Sequence, residues 1–210
     1  MKRVRIKICG ITRVADGVAA GELGADAIGL VFYPPSPRAI DVVRAQAICE
    51  QLPPFVSRVA LFVNDSASRI ESILKQVQVD TLQFHGDETP EFCNSFGLPY
   101  VKSIGVKPGL DVAAAMASYG GASAVLLDQH DRVQWGGTGE AFDWALVPGE
   151  RHRPMVLAGG LTPDNVCGAI RQVKPDAIDV SGGVEREKGI KDAALIAAFM
   201  RGVNRVSASE

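Results

Sequence analysis

Two side chains with the acidities that proton transfer requires stand at the ends of predicted strands. Cys9 ends the apolar run at 4–9, and Asp128 ends another at 124–128. If both face one ligand from different strands of a barrel wall, the thiol can act as a base and the carboxyl as an acid. Taken singly, a buried cysteine is more often a small apolar side chain, and an aspartate after a strand more often forms a turn. Acid–base chemistry is therefore a hypothesis about the pair.

The protonation states of such a pair set a condition on this chemistry. At ordinary pKa values about 3% of a thiol is ionised at pH 7, and about 0.1% of a carboxyl is protonated. Both groups would then be mostly in the wrong state. Either the surroundings tune the pair, or a minority protonation state does the work. We expect tuning, with local positive potential lowering the pKa of Cys9.

Two glycine-containing turns near the C-terminus predict an anion site. Gly159-Gly160 and Ser181-Gly182-Gly183 lie at the ends of two later apolar runs. Glycine lets the main chain approach an anion closely, and the bare N–H groups can bind phosphate. One such turn alone is more often only a tight turn. Two of them after the last two strands of a barrel are typical of a phosphate site.

Three further polar residues are candidate ligands for a substrate. Arg38 lies in a loop stiffened by Pro34, Pro35 and Pro37, and its planar guanidinium fits a carboxylate in bidentate fashion. A solvated surface arginine is an equally weighted alternative. Gln83 and His85 come at the end of a strand, where His85 is either a rim residue or a structural hydrogen-bonding group.

The elements that must position these residues alternate along the chain. The strands are almost continuously apolar, which is typical of a parallel sheet covered on both faces. Strands are predicted at 4–9, 26–32, 57–63, 80–84, 100–105, 124–128, 154–158 and 176–181, and helices near 13–23, 41–51, 67–77, 89–96, 110–118, 142–147, 163–172 and 191–205. The predicted helix N-caps are Thr12, Asp41, Ser66, Thr89, Asp111 and Thr162, with Pro90 and Pro163 at the first helical position.

Eight strand–helix units in 210 residues predict an α/β fold, a single-domain (β/α)8 TIM barrel over residues 1–210. A doubly wound open sheet is the structural alternative, but it usually needs fewer strands. No GxGxxG motif follows the first strand, so that alternative lacks its nucleotide-binding signature. The longest segment without periodicity is a loop from residue 129 to residue 140.

The composition limits the partners. The chain carries 22 basic and 24 acidic residues, a net charge of -2, and a nucleic-acid partner is not expected of such a surface. We expect no membrane partner, because no apolar run is long enough to span a bilayer. The four cysteines form no CxxC pair and the three histidines are scattered, so no metal site is predicted. A reducing, cytoplasmic location is the simpler expectation.

Taken together, the strand-end residues resemble those of the phosphoribosylanthranilate isomerase family of tryptophan biosynthesis. The resemblance extends from residue 7 to residue 192. Single motifs such as GGTG are weak, but the ordered set is highly specific. The matching segments are KICG (7–10), FYPPSPR (32–38), LFVN (61–64), LQFHG (82–86), LD (127–128), GGTG (136–139), LAGGL (157–161) and DVSGGVE (179–185).

The resemblance implies an Amadori rearrangement of a phosphorylated small-molecule substrate, with no cofactor. It implies Cys9 as general base, Asp128 as general acid and Arg38 as ligand of the anthranilate carboxylate. Asp179 would lie near the sugar hydroxyls, with Gln83 and His85 as further substrate-binding residues. The main chain at residues 159, 160 and 181–183 would hold the phosphate. The family more often reads Ser-Ser-Gly at 181–183, so this chain lacks one hydroxyl at Gly182.

Two other functions stay open on the residues alone. The first is another phosphate-handling barrel enzyme with the same phosphate cradle. Of these enzymes, an indole-forming relative requires lysine and glutamate at the strand ends, and a ribulose-phosphate epimerase requires a metal and paired histidines. The second is a barrel that binds a phosphorylated ligand without turnover. The sequence is compatible with a monomer or a homodimer.

Overall fold

The structure, a computed structural model, describes residues 3–129 and 143–208. The strands of its main sheet are β1 Arg5–Cys9, β2 Ala27–Val31, β3 Ser57–Phe62, β4 Thr81–Phe84, β5 Tyr100–Val106, β6 Ala124–Gln129, β7 Met155–Leu157 and β8 Ala177–Val180. The helices are α1 Val14–Glu22, α2 Val42–Gln51, α3 Ala67–Leu74, α4 Pro90–Asn94, α5 Val112–Ser118, α6 Val166–Val173 and α7 Ala193–Ala208. A short hairpin of β9 Glu185–Glu187 and β10 Ile190–Lys191 follows β8.

The eight strands of the main sheet close into a parallel barrel. Each strand pairs with the next in sequence, and β8 pairs with β1, so the strand order is β1 to β8. This confirms the predicted (β/α)8 fold and excludes the doubly wound sheet, whose edges would stay open. All eight strands are parallel, so their carboxyl ends meet at one rim, where barrel enzymes place their active sites.

Apolar side chains from strands and helices form one large core. Ile8, Ile28, Leu82 and Val125 are fully buried strand residues of this core. Because such strands are covered on both faces, they read as continuous apolar runs. Phe84 of β4 makes edge contacts with Phe92 of α4 and Tyr100 of β5, with ring centroids 5.9 and 5.8 Å apart. The core therefore fixes the strand ends that carry the polar residues.

Four of the six predicted N-caps are confirmed. The side chains of Asp41, Ser66, Thr89 and Asp111 each accept a hydrogen bond from the backbone N–H three residues later. Pro90 is the first residue of α4, as predicted.

The other two predicted caps are wrong. Arg13 precedes α1 without a side-chain cap, because the Thr12 hydroxyl donates to the carbonyl of Gly189 instead. Thr162 caps a turn that ends at Asn165, and α6 begins only at Val166. Pro163 consequently lies in this turn, not at the first helical position.

Two further predictions need correction or fall outside the described residues. The helix expected at 142–147 is a single 3-10 turn, Trp144–Leu146, and residue 142 is not among the described residues. The predicted start of the last helix at 191 is wrong, because residues 190–191 pair with β9 as a strand. Of the predicted loop at 129–140, only Gln129 is described, and the GGTG motif is not.

Candidate active site

A cavity of about 740 Å³ opens at the carboxyl ends of the barrel strands. All eleven residues proposed from the sequence as site residues line it. They are Cys9, Arg38, Gln83, His85, Asp128, Gly159, Gly160, Asp179, Ser181, Gly182 and Gly183. The structure thus brings the predicted residues to one place, while the role of each stays a prediction.

Cys9 ends β1 beside a buried ion pair. Lys7 lies two residues earlier on the same face of the strand, and its Nζ donates to Asp179 Oδ1 at 2.9 Å, with both side chains about nine-tenths buried. Burial raises the pKa of the Cys9 thiol, and this effect outweighs the opposing effect of the positive charge on Lys7. We predicted a lowered pKa for Cys9, and this prediction is wrong, because burial destabilises the thiolate more than one nearby cation stabilises it.

The same ion pair keeps Lys7 charged. Burial alone would lower the pKa of Lys7, but the charge of Asp179, together with that of the thiolate, raises it. Asp179 was expected near the sugar hydroxyls. It does line the cavity, but its Oδ1 is occupied by Lys7. A charged lysine next to the thiol stabilises the thiolate relative to the neutral thiol.

Asp128 lies at the end of β6, with β7 and β8 between it and β1. Its Oδ1 accepts from the backbone N–H of Gln129 at 2.8 Å, and its Oδ2 lies 3.5 Å from His85 Nε2. Gln83 Nε2 lies 3.0 Å from the other ring nitrogen, Nδ1 of His85. If the amide donates to Nδ1, the neutral ring carries its proton on Nε2 and turns it toward Asp128. Gln83, His85 and Asp128 then form one polar chain.

Gly159 gives Asp128 its space. This residue follows β7 with a φ of 81°, and a Cβ there would lie 2.9 Å from Asp128 Oδ1. A side chain at position 159 would be strained and would push on the carboxylate. The glycine is therefore required for the geometry of Asp128 as well as for the turn.

The segment that carries His85 is anchored from below by a buried ion pair. Lys102, on β5, donates from Nζ to Glu88 Oε2 at 3.2 Å and to the carbonyl of Gly86. The Glu88 carboxylate also accepts from the backbone N–H groups of Asn64 and Gly86. Both side chains of the pair are 2% exposed. This network fixes the backbone on either side of His85.

The predicted phosphate cradle is formed by two loops in close contact. A Cβ on Gly183 would lie 1.9 Å from the carbonyl oxygen of Leu161, so the loops after β7 and β8 meet there. Residues Gly182–Val184 form a single 3-10 turn. Among the described residues, the N–H groups of Gly182 and Gly183 have no backbone or side-chain acceptor. Free N–H groups at the start of such a turn are suited to an anion.

Arg38 is held in a buried cluster of charges. Its Nε and Nη2 donate to the two carboxylate oxygens of Glu185, both at 2.8 Å. Lys191 donates to Glu185 Oε1 at 2.7 Å. One edge of the Arg38 guanidinium is therefore taken by Glu185, while the residue still lines the cavity.

Several residues of this region were not among the predicted site residues. The charged ones are Lys7, Glu185, Lys188 and Lys191, of which Lys188 lines the cavity itself. The spacing of Lys7 and Cys9, two apart on one strand, indicates a shared face. No sequence signal marks Glu185 as the partner of Arg38, or Lys191 as the partner of Glu185. An apolar patch on the cavity wall, packed against Cys9, was also missed; it comprises Val31, Tyr33, Leu61 and Val63.

Two features are absent from the described residues. Neither stretch of the described chain contains a group of three or more histidine, cysteine or acidic residues placed to hold a metal ion. No helix in these stretches is both long and apolar enough to cross a bilayer.

The fold and the cavity define the class of the protein: a (β/α)8 barrel of the enzyme type, with a cavity at the carboxyl rim that is lined by a thiol, a carboxyl and two glycine-containing loops. The sequence profile of the family described as N-(5'-phosphoribosyl)anthranilate (PRA) isomerase matches residues 6–202. The chain therefore belongs to this family, as the resemblance predicted, and it is an intramolecular isomerase.

Individual relatives agree with this assignment. An N-(5'-phosphoribosyl)anthranilate isomerase of Pseudomonas putida is 58% identical over 205 residues, which are 98% of this chain and 100% of the relative. The phosphoribosylanthranilate isomerase of Thermotoga maritima superposes with a TM-score of 0.88 at 40% identity, covering 96% of this chain and 99% of that one. A solved isomerase in complex with reduced 1-(o-carboxyphenylamino)-1-deoxyribulose 5-phosphate has a TM-score of 0.85 at 39% identity, covering 96% and 99%.

Proposed function

We propose that the chain converts N-(5'-phosphoribosyl)anthranilate to 1-(2-carboxyphenylamino)-1-deoxyribulose 5-phosphate, in tryptophan biosynthesis, with Asp128 as acid and Cys9 as base. The observation that carries the proposal is one cavity in which these two groups lie together with two anion-binding features. A family member has been solved with a reduced form of this product, which has a phosphate and an aryl carboxylate to match them.

The cavity suggests one orientation of the substrate. The phosphate binds to the main chain of Gly159, Gly160 and residues 181–183, and the carboxylate binds to Arg38. The aromatic ring then packs on Val31, Leu61 and Val63, which line the cavity beside Cys9. Gln83, His85 and Asp179 face the ribose between these ends. Its C2 hydrogen can then approach Cys9 while the ring oxygen approaches Asp128.

The reaction begins at the ribose ring oxygen. Asp128 gives its proton to this oxygen, the bond from the oxygen to C1 breaks, and the nitrogen lone pair forms an iminium with C1. The amide of Gln83 and the ring of His85 hold the Asp128 carboxyl in place during this transfer. The substrate's own nitrogen accepts the positive charge, so this scheme uses no metal and no organic cofactor.

Cys9 completes the proton balance. Its thiolate removes the proton from C2. The electrons of that C–H bond form a double bond between C1 and C2, and the electrons of the iminium double bond return to nitrogen. The resulting enolamine is an isomer of the substrate. The enolamine becomes the ketone when C1 gains a proton and the C2 hydroxyl loses one. The positive charge on Lys7 stabilises the Cys9 thiolate against the opposing effect of burial.

The location, domain organisation and oligomeric state of the enzyme are inferred from its cysteines, its length and its solved relatives. All four cysteines are free thiols, which supports a reducing, cytoplasmic location. We infer that the 210 residues form one catalytic domain, acting as a monomer or a homodimer. One solved relative consists of monomers generated from the dimeric phosphoribosylanthranilate isomerase of Thermotoga maritima. Sedimentation velocity at several protein concentrations distinguishes the two states.

The test follows the anthranilate fluorescence of freshly generated phosphoribosylanthranilate after enzyme is added. The native chain is expected to convert it rapidly. Cys9→Ala and Asp128→Asn are each expected to lower kcat by about 10²- to 10⁴-fold, the usual contribution of a positioned acid or base. Cys49→Ala and Glu22→Gln are matched controls, since neither side chain lines the cavity.

The outcomes separate the proposal from its rivals. Binding of the substrate without loss of fluorescence would indicate a binding barrel. Conversion that survives either site substitution would show that the acid or the base has been assigned wrongly. Equal losses in the control variants would point to a folding defect, which circular dichroism detects independently.

A further inference from the structure

The hairpin β9–β10 places a buried carboxylate and a buried ammonium beneath Arg38. Glu185, on β9, is paired in register with Lys191 on β10. The Glu185 side chain is 5% exposed and that of Lys191 is 0% exposed. Lys191 Nζ also donates to the carbonyl and the hydroxyl of Ser181, at 3.1 and 3.3 Å. One network therefore joins Arg38 to the loop of the phosphate cradle.

The contact with Glu185 uses only one edge of the Arg38 guanidinium. Nε and one N–H of Nη2 bind the carboxylate in a side-on fork, with both distances at 2.8 Å. A guanidinium has five N–H groups, so Nη1 and the second N–H of Nη2 form a second fork. Among the described residues this second edge has no hydrogen-bond partner. It is suited to a second carboxylate in the plane of the first.

The charges of the network favour a bound anion. With Glu185, Arg38 and Lys191 all ionised, the cluster has a net charge of +1, and Arg38 is its member that lines the cavity. Burial alone would raise the pKa of Glu185, but hydrogen bonds from Arg38 and the charge of Lys191 hold it below its ordinary value. Glu185 thus stays ionised, and it cancels only one of the two positive charges beside it.

The backbone leaves room for the Arg38 side chain in this position. A Cβ on Gly10 would lie 2.5 Å from Arg38 Cδ, and Gly10 has a φ of 74°. The hairpin turn also approaches the arginine loop closely, since a Cβ on Gly189 would lie 3.1 Å from the carbonyl oxygen of Pro37. The conformation of Arg38 is therefore fixed by packing as well as by charge.

We propose that Glu185 is a positioning residue that holds one edge of Arg38, so that the other edge selects substrates with an aryl ortho-carboxylate. Lys191 supports it by binding Glu185 Oε1 and balancing the charge of Glu185, which leaves the positive charge of Arg38 available to the substrate carboxylate. The inference rests on the proposed role of Arg38 as ligand of the anthranilate carboxylate. An arginine without this support would have to be ordered at each binding event, at a cost in affinity.

The test compares two inhibitors on the intact enzyme: the reduced product analogue and the same compound without its ring carboxylate. The ratio of their inhibition constants measures carboxylate recognition alone. In Glu185→Gln the amide turns a donor toward Arg38, and the ratio is expected to fall by about 10-fold, equivalent to about 1.4 kcal/mol. KM should rise by a similar factor while kcat changes by less than about 3-fold, because uniform binding is lost. Glu187→Gln, on the same strand and exposed, is the matched control.

A merely structural role for Glu185 would leave the ratio unchanged, and that result overturns the inference. If Glu185→Gln does not fold, Glu185→Asp carries the same test. It keeps the charge but is one methylene too short for both bonds, so its ratio should lie between native and Arg38→Ala. A native ratio in Glu185→Asp would likewise count against the positioning role. A native enzyme that does not distinguish the two inhibitors would instead refute the proposed role of Arg38.

Discussion

Replacing Lys7 by Met should move the pH dependence of catalysis to higher pH. Lys7 is the buried cation whose charge opposes the effect of burial on the pKa of the Cys9 thiol. Without it, burial and the negative charge of Asp179 both raise this pKa. Since the thiolate is the base, kcat/KM at neutral pH should fall, and its rise with pH should continue to higher values.

The size of the shift follows from the geometry. Two unit charges about 4 Å apart interact by about 4 kcal/mol at an effective dielectric constant of about 20. Asp179, 2.9 Å from Lys7, already cancels much of this field. We therefore expect a rise of about 1 to 2 pKa units, or about 1.4 to 2.7 kcal/mol. The corresponding loss of kcat/KM at pH 7 is about 10- to 100-fold.

Two assays measure the shift independently. One is kcat/KM between pH 6 and pH 10. The other is the rate of alkylation of Cys9 by iodoacetamide over the same range, with Cys49, Cys93 and Cys167 replaced by Ala. A Lys7→Met/Asp179→Asn double variant removes the uncompensated carboxylate, so it should shift less than Lys7→Met. An alkylation profile in Lys7→Met that coincides with that of the native thiol would refute the electrostatic role of Lys7.

Three further predictions concern the support of the site and its stability. Gly159→Ala should lower kcat by about 10-fold and the free energy of unfolding by about 1–2 kcal/mol, because position 159 has positive φ and a Cβ would meet Asp128; a native kcat would contradict the predicted contact. Lys102→Met should lower the free energy of unfolding, measured by urea denaturation, by about 3–5 kcal/mol, because it leaves Glu88 buried without a cation. Lys107→Met, at an exposed position, is the control and should leave this free energy unchanged. Burial raises the pKa of Cys93 to about 12, so the folded state keeps a proton that the unfolded state loses above about pH 9. Stability therefore falls as pH rises through this window, and the native chain should lose about 1.4 kcal/mol more than Cys93→Ala between pH 8 and pH 10; equal losses would exclude this origin.

The order of the elements and the residues at the strand ends can be predicted from the amino-acid sequence. Short apolar runs alternating with helical segments require parallel strands, and eight such units close into a barrel without edges. The caps at Asp41 and Asp111 were readable because a cap is a contact over three residues. Cys9 and Asp128 were readable because a strand end in a parallel barrel always faces the same rim.

Which charges are paired, and how deeply they are buried, depends on how the chain packs. Lys7 and Asp179 are 172 residues apart, and Arg38 and Glu185 are 147 apart, so no local spacing marks either pair. The direction of the Cys9 pKa depends on the balance between desolvation and a neighbouring cation, and the sequence shows neither the burial nor the distance. The sequence thus names the groups that can do the chemistry, while packing sets the electrostatic field in which they do it, because that field depends on contacts between distant parts of the chain.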